Sequence, residues 1–294
     1  MHGIKGGKMA DLHRLMLFPA FIVFLAFVII PIFQGMALAF TDWDGYNPIK
    51  FIWFENFVRL FSDDQAHNAL KNTVICGVFG TLLLNLLGLA YALVLDSKIR
   101  LKGLLRTIVY LPAIISPLII GYIWLIILSS EKGMIISALQ ALGFENSYHD
   151  WLADPQAAIW IVILVHAWQY LGGNMIIYLA GLQNIPVELF ESARIDGAGY
   201  LQELGHIKLP LLIPSFRINI ITNIIGAMSM FDVIMSLTGG GPGHYTESLS
   251  IFIYRLSTSN QAGYTSAAAM VMFIIILIPA ALAYRIMSKA DVEA

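Results

Sequence analysis

The sequence predicts an all-α membrane protein, a polytopic helix bundle with six transmembrane helices. Apolar types make up 58% of the 294 residues and charged types only 12%, roughly half the charged share of an ordinary soluble domain. The mean hydropathy is +0.75. The apolar residues also fall into blocks of about 20, the length at which a helix rising about 1.5 Å per residue crosses a hydrocarbon core of about 30 Å. Barrel strands would be nearer ~10 residues long and would alternate apolar with polar side chains, and no segment does so.

The six blocks are 15–39, 70–95, 105–128, 157–182, 210–236 and 265–287. Pro19, Pro31, Pro112, Pro117, Pro214 and Pro279 interrupt them. Membrane helices tolerate such prolines where neighbours satisfy the freed backbone groups. Gly77, Gly80 and Gly88 in the second span are expected at close helix contacts.

Lysine and arginine set the orientation. Lys5, Lys8, Arg14, Lys98, Arg100, Lys102, Arg106, Arg194, Lys208, Arg217, Arg285 and Lys289 fall on one side of a six-span arrangement, and Lys50, Arg59, Lys71, Lys132 and Arg255 on the other. The split is 12 against 5, so the positive-inside rule puts both termini in the cytoplasm. The outward segments are acidic instead, with Asp42, Asp44, Glu55, Asp63, Asp64, Glu131, Glu145, Asp150, Asp154 and Glu247. The first span has a basic flank, and Ala37-Leu38-Ala39 mimics a signal-peptidase site. Its apolar run is longer than a signal core of about 7–15 residues, so the span is expected to be retained. Retention also leaves the even number of spans that cytoplasmic charge at both ends requires.

The outward loops, 40–69, 129–156 and 237–264, carry Trp43, Tyr46, Trp53, Tyr148, Trp151, Tyr245 and Tyr264. An interfacial aromatic belt is the main reading. A docking surface for an extracellular partner is the alternative.

Several chemistries lack their residues. A net charge of −2 gives no footing for nucleic acid. Cys76 is the only cysteine; it lies in an apolar block, has no disulfide mate or metal-ligand spacing, and reads as a buried inert thiol. No Gly-x-x-x-x-Gly-Lys-Ser/Thr phosphate loop occurs. Gly6-Gly7-Lys8-Met9 is a partial likeness without the first glycine or the magnesium-binding hydroxyl. His166 and His206 lack partners at ligand spacing, and no nucleophile elbow or His-Glu-x-x-His is present. No catalytic residue and no metal site is expected.

Polar side chains inside spans are costly and turn toward the bundle interior or a wet cavity. Counting to mid-span reaches Asn85 in the second span and Ser116 and Pro117 in the third. In the fourth it reaches Trp168, Gln169 and Tyr170, with Asn174 about a turn further in. In the fifth it reaches Asn219 and Asn223, with Ser229 and Asp232 further out. Amides and hydroxyls beside aromatic faces suit a neutral polyol, which needs hydrogen bonds in the ring plane and apolar cover above it. Any one of these residues can instead glue helices together, and that alternative stays open here. Arg217 and Asp232 bracket the fifth span and read first as anchors.

The segment after the fourth span runs Ile185-Pro186-Val187-Glu188-Leu189-Phe190-Glu191-Ser192-Ala193-Arg194-Ile195-Asp196-Gly197-Ala198-Gly199 and continues through Gly205-His206-Ile207-Lys208-Leu209-Pro210. It predicts a short helix. Pro186 suits the first helical position, Glu188 and Glu191 favour the N-terminal half of the dipole, and Gly197 suits the left-handed residue after the end. Ser192 and Ala193 are small enough for a partner surface to approach the backbone. A second short helix is expected before Pro210. On local chemistry alone an amphipathic hairpin lying on the membrane fits equally well.

The pattern Glu191-Ser192-Ala193, Gly197, Ile207-x-Leu209-Pro210 resembles the EAA loop of ABC importer permeases, with Ser192 in place of the commoner alanine. The resemblance covers nearly the whole chain. It is nearest to the carbohydrate-uptake branch related to the maltose and glycerol-phosphate importers. Phe40-Thr41-Asp42-Trp43 with Asn56-Phe57, Phe231-Asp232-Val233-Ile234 with Thr238-Gly239-Gly240-Gly241-Pro242, and Gly263-Tyr264-Thr265-Ser266-Ala267-Ala268 are similar to that branch in order and spacing. The resemblance implies a type I ABC importer (MetI-like) permease fold in a bacterial inner membrane, with an extra N-terminal helix before a core of five. It implies that Glu188, Glu191, Ser192, Ala193, Arg194, Asp196 and Gly197 form a coupling helix seated in a cleft on a cytoplasmic ATPase. It implies a second permease chain, usually a different one, two ATPase subunits that hold ATP and magnesium, and an external solute-binding protein. This chain itself would carry no cofactor and would not be an enzyme. The implied organisation is a cytoplasmic N-terminus (1–14), a first span with its outward loop (15–69), a permease core (70–287) with the coupling loop at 183–210, and a cytoplasmic C-terminus (288–294). The alternative function is an ion-coupled secondary transporter, which would need buried ionisable groups or inverted repeats. Buried charge is sparse and no repeat is evident.

Overall fold

The computed structural model describes residues 17–97, 99–130, 133–143 and 150–290. Of the charged and aromatic residues named above, Lys5, Lys8, Arg14, Lys98, Glu131, Lys132, Glu145 and Tyr148 lie outside the described residues, as do the Gly6-Gly7-Lys8-Met9 segment, the 1–14 terminus and residues 291–294.

The described chain is helical apart from loops and one isolated antiparallel bridge between Thr41 and Phe51. Helix α1 runs Leu17–Leu38. A short helix α2 (Glu55–Ser62) precedes α3 (Asp64–Asp96). Helices α4 (Lys102–Ile114) and α5 (Pro117–Leu128) follow, then α6 (Met134–Ala141) and α7 (Pro155–Gln183). Next come α8 (Val187–Ile195), α9 (Tyr200–Leu211) and α10 (Ile213–Met228). Helices α11 (Asp232–Leu237), α12 (Leu249–Ser257) and α13 (Ala262–Ala290) close the order.

Four helices, α1, α3, α7 and α13, are each long and apolar enough to cross a membrane. Two start on caps written in the sequence. The Asp63 carboxylate accepts from the N–H groups of Gln65 and Ala66 at the head of α3, and Asp154 does the same for Gln156 and Ala157 at the head of α7, where Pro155 takes the first helical position.

The third and fifth predicted spans are not single rods. The 105–128 block is two helices, α4 and α5, bent by 99°. Pro117 disfavours helical backbone at the residue before it, and Ile115 and Ser116 are extended, with ψ of 141° and 133°. The Gln169 amide of α7 donates to the Ile115 carbonyl at 3.0 Å, satisfying an acceptor that the break frees. The 210–236 block is also broken. α9 and α10 meet at 65° beside Pro214, which cannot donate to the preceding turn. Helix α10 ends at Met228, and α11 is a separate helix. Two π turns, Leu25–Ile29 and Leu204–Lys208, lie just before Pro31 and Pro210. Each widens the helix where the proline ring would otherwise meet the carbonyl four residues back.

The chain divides into two compact units. The larger comprises Asp63–Tyr254 and Met272–Ala294. In it α3 packs along α7, α10 lies against α3, α4 against α7, and α11 against α5. Gly77, Gly80 and Gly88 stand at close helix contacts, as expected: a Cβ there would meet Met228, Ala227 and Asn174 respectively. One apolar cluster gathers Cys76, Ile120, Val162, Ile163, Val233 and Ile234. A second gathers Ala92, Leu95, Met175, Tyr178, Leu182 and Leu212, with Phe190 and Ile207 packed on it.

The smaller unit comprises the described part of Met1–Ser62 together with Arg255–Val271. Its loop after α1 is a hairpin closed by Asp42 and Lys50, with the Asp42 N–H donating to the Lys50 carbonyl at 3.1 Å. At the hairpin tip the backbone N–H groups of Asn47 and Tyr46, and the Asn47 amide, hold the Asp44 carboxyl down to about 2. The Asn56 amide donates to the Ala39 and Thr41 carbonyls at 2.9 and 2.8 Å, tying α2 to the end of α1.

Candidate functional site

Two constellations stand out in the larger unit. The first is a polar pocket of about 390 Å³ between α7 and α10, lined by Leu84, His166, Tyr170, Gly173, Asn174, Ile177, Asn219, Thr222, Asn223 and Gly226. Its chemistry is amide, hydroxyl and ring, and no Lys, Arg, Asp or Glu lines it. The Asn223 amide donates to Asn174 Oδ1 at 2.6 Å, and the Asn219 amide donates to the Asn174 carbonyl at 3.2 Å. Asn174 in turn donates to the Tyr170 carbonyl at 3.2 Å. The His166 and Tyr170 rings lie 4.8 Å apart. Asn219 Oδ1 is buried without a hydrogen-bond partner. Such an orphaned acceptor costs about 1–3 kcal/mol until something donates to it. Asn219 is 1% exposed and its side chain reaches the buried Tyr178, so this oxygen is closed to a solute in the present conformation.

A larger groove of about 600 Å³ between α3, α10 and α13 is walled by chains such as Val78, Leu82, Ile220 and Ile224. It offers a polar solute almost nothing.

The nine sequence-predicted pathway residues separate in the structure. Tyr170, Asn174, Asn219 and Asn223 line the polar pocket. Asn85 is a neighbour on α3 whose Oδ1 accepts from the Tyr178 hydroxyl at 2.5 Å and whose amide donates to the Thr81 carbonyl at 2.7 Å. Trp168 is on another face of α7, packed edge-to-face on Trp124 with centroids 5.5 Å apart. Gln169 is fully buried at the α4–α5 break. The Ser229 hydroxyl donates to the Ile225 carbonyl at the end of α10, and Asp232 stands at the head of α11; neither lines the pocket, though the Asp232 carboxylate lies near enough to act on the lining Tyr170. Sequence reasoning misses His166, Gly173, Ile177, Thr222 and Gly226. Helical spacing is the available signal, since 166, 170, 173, 174 and 177 form one face of α7, and 219, 222, 223 and 226 one face of α10.

The second constellation is the loop after α7. Helix α8 carries Glu188 in its first turn and Arg194 in its last, as its dipole favours. Pro186 precedes the helix as its N-terminal cap, with extended ψ of 134°, one position earlier than expected. Its end is a Schellman motif: the Ala198 N–H donates to the Ala193 carbonyl at 2.9 Å and the Gly197 N–H to the Arg194 carbonyl at 3.1 Å. Gly197 takes φ +81° with open space around it, so its backbone, not crowding, requires glycine. Glu188, Glu191, Ser192, Arg194, Asp196 and Gly197 are exposed, Ala193 half-buried. Val187, Leu189, Ile195, Tyr200 and Leu201 are exposed as well, an apolar fringe that a lone loop has no reason to display.

Two ionic ties hold this loop in place. Arg194 Nε lies 2.9 Å from Oε1 of the buried Glu203 on α9. Lys208 Nζ lies 3.2 Å from Asp96 Oδ2 at the end of α3, and 5.6 Å from the rings of both Phe190 and Tyr200.

Residues 84–290, which hold both constellations, match the family model described as binding-protein-dependent transport system inner membrane component. The chain belongs to that family. The permease is 38% identical to a probable ABC transporter permease protein YurN of Bacillus subtilis, over 90% of this chain and 91% of that one. It is 32% identical to a probable starch degradation products transport system permease protein AmyD of Thermoanaerobacterium thermosulfurigenes, over 94% and 93% of the two. It superposes on a chain of a bacterial ABC transporter that imports the acidic polysaccharide alginate, with a TM-score of 0.81 and 28% identity over 96% of both chains. The permease is thus a membrane-spanning subunit of a binding-protein-dependent ABC importer, and the ion-coupled alternative falls away.

Proposed function

We propose that this permease forms, with a second permease chain, the pathway for an uncharged saccharide released by an extracytoplasmic binding protein. The α7–α10 pocket is this chain's half of the path. The observation that carries the reading is the amide cluster Asn174–Asn219–Asn223 in a pocket whose lining holds no charged side chain. Inside a bilayer a carboxylate would need a paired cation, and none lines the pocket. Starch degradation products, named for one relative, fit that chemistry better than the acidic alginate named for the structural one.

The loop 183–210 is read as the coupling element. Glu188, Glu191, Ser192, Ala193, Arg194, Asp196 and Gly197 would meet a cytoplasmic ATPase subunit, with Val187, Leu189 and Ile195 as apolar contacts. Closure of two such ATPases, which hold the ATP and magnesium, would draw the loops together and switch the pathway between its two faces. Both termini face the cytoplasm in this reading, on the 12-to-5 charge bias.

The test is uptake by the complete assembly in proteoliposomes across a panel of labelled neutral oligosaccharides and acidic ones. Transport of a neutral member, with a raised KM in Asn219→Ala, is the expected result. Transport confined to acidic saccharides would overturn the assignment of solute class.

A further inference from the structure

The smaller unit carries an apolar surface that nothing within it covers. Phe54, Val58 and Phe61 on α2 and at its head are 61, 66 and 55% exposed, and Tyr46, Ile49, Phe51 and Trp53 just before them are exposed too. The other faces of α2 are spoken for. Asn56 and Leu60 are buried, and Arg59 lies 4.0 Å over the Tyr264 ring with its Nη2 donating to Gln261 Oε1 at 2.6 Å. Glu55, Arg59 and Ser62 share an exposed polar face. At about 100° per residue the helix therefore divides into three sectors, and Phe54, Val58 and Phe61 fall within roughly 60° of one another. Phe40 meets Phe51, Phe54 and Phe57 at centroid distances of 6.2, 5.5 and 5.3 Å, which stiffens the platform beneath them.

We propose that α2 and the hairpin before it form an in-plane anchor, with Phe54, Val58 and Phe61 sunk into the acyl–headgroup boundary of the leaflet at the Leu38 end of α1. The occupant is lipid because the patch continues a lipid-facing surface. It is tied directly to the end of α1 through Asn56, and none of the most apolar stretch of α1 is buried by protein. A short helix with a large apolar face, a separate charged face, and Trp and Tyr at its edge has the chemistry of an interfacial segment. Arg59 on α2 holds Gln261 and Tyr264, so the anchor fixes the outward start of the last span to the outward end of the first.

The experiment places single nitroxide labels in a Cys76→Ala background, in the full importer reconstituted into phosphatidylethanolamine–phosphatidylglycerol vesicles. Cysteine replaces Val58, Phe61, Glu55 or Ser62 one at a time, all exposed positions whose labels leave the Asn56, Leu60 and Arg59 contacts intact. ATPase subunits recovered with each variant check assembly. Expected are labels at 58 and 61 that collide several-fold more with oxygen than with a water-soluble nickel chelate, and labels at 55 and 62 with the opposite preference. Equal nickel access at 58 and 62 would overturn the proposal, because the face would then be in water. Labels at 58 and 61 shielded from both reagents would also overturn it, in favour of a protein partner such as the binding protein.

Discussion

Lys208 Nζ reaches Asp96 Oδ2 at 3.2 Å, joining the loop that precedes α10 to the last residue of α3. The lysine is largely buried and also faces Phe190 of α8 and Tyr200 of α9. One cation therefore holds α8, α9 and α3 in register. Lys208→Met keeps the stem but removes the charge. It leaves Asp96 with less compensation, at a cost on the order of 1–3 kcal/mol. The complex is expected to unfold at lower temperature and to lose solute-stimulated ATP hydrolysis more than basal hydrolysis. Adding Asp96→Asn should restore part of the stability, and strict additivity of the two changes in a double-mutant cycle would show that the pair does not interact.

The helix end at Gly197 makes a sharper test of the coupling role. At φ +81° a β-branched residue is a steric outlier, so Gly197→Val should unravel the Schellman turn while the spans remain intact. Glu191→Lys puts a cation where a basic cleft is expected and should cost on the order of 1–3 kcal/mol of docking if partly desolvated. Both variants should insert and pair with the second permease, yet purify with less ATPase and fail in uptake. Normal ATPase content and normal stimulated hydrolysis in both would leave the loop as a hairpin with no coupling role.

Orientation is open to chemical labelling. In the Cys76→Ala background, cysteines at Asp63 and Gly243 should react with a membrane-impermeant maleimide added to intact cells. Cysteines at Lys102 and Arg194 should react only after lysis. External reaction at Arg194 would contradict both the charge-bias orientation and the coupling assignment.

Two adjacent glycines on α7 separate packing from pathway. A Cβ on Gly172 would lie 2.5 Å from Tyr110 Cα and 2.6 Å from the Val109 carbonyl oxygen. These are backbone atoms that cannot swing aside. Gly172→Ala must therefore push α4 from α7 and should destabilise the complex by about 1–3 kcal/mol, read as a lower unfolding temperature. Gly173 lines the pocket and has nothing within 4 Å of its Cβ position. Gly173→Ala should fold normally and alter uptake kinetics alone. Equal thermal stability of the two variants would show that α4 and α7 do not meet at this position.

The spans are legible in the sequence because hydrocarbon thickness imposes a length on them, and the Gly197 turn because only a few residues tolerate its backbone. The 99° break at Ile115–Ser116 is not. Pro117 announces an interruption, but the size of the bend rests on Gln169, 54 residues away in sequence, reaching the Ile115 carbonyl. Depth counting has the same weakness. It gathers residues at one level of the membrane but does not say which way each faces, so it groups Trp168 and Gln169 with Tyr170 although each points to a different neighbour.

Asn223 and Asn219 contribute amides to one network around Asn174, and a solute hydroxyl held there should gain about 0.5–1.5 kcal/mol per hydrogen bond. Asn223→Leu and Asn219→Ala should each raise the KM for uptake by roughly 2- to 10-fold, since about 1.4 kcal/mol is a factor of ten, with normal assembly. Trp168 packs on Trp124 and does not line the pocket, so Trp168→Phe should leave KM and solute preference unchanged. Gln169→Leu strips the Ile115 carbonyl of its donor in a buried place and should lower thermal stability, not affinity. Uptake measured over a range of solute concentrations, beside unfolding of the purified complex, distinguishes the two classes. A change of solute preference in Trp168→Phe with none in Asn223→Leu would move the pathway to the Trp124–Trp168 face of α7.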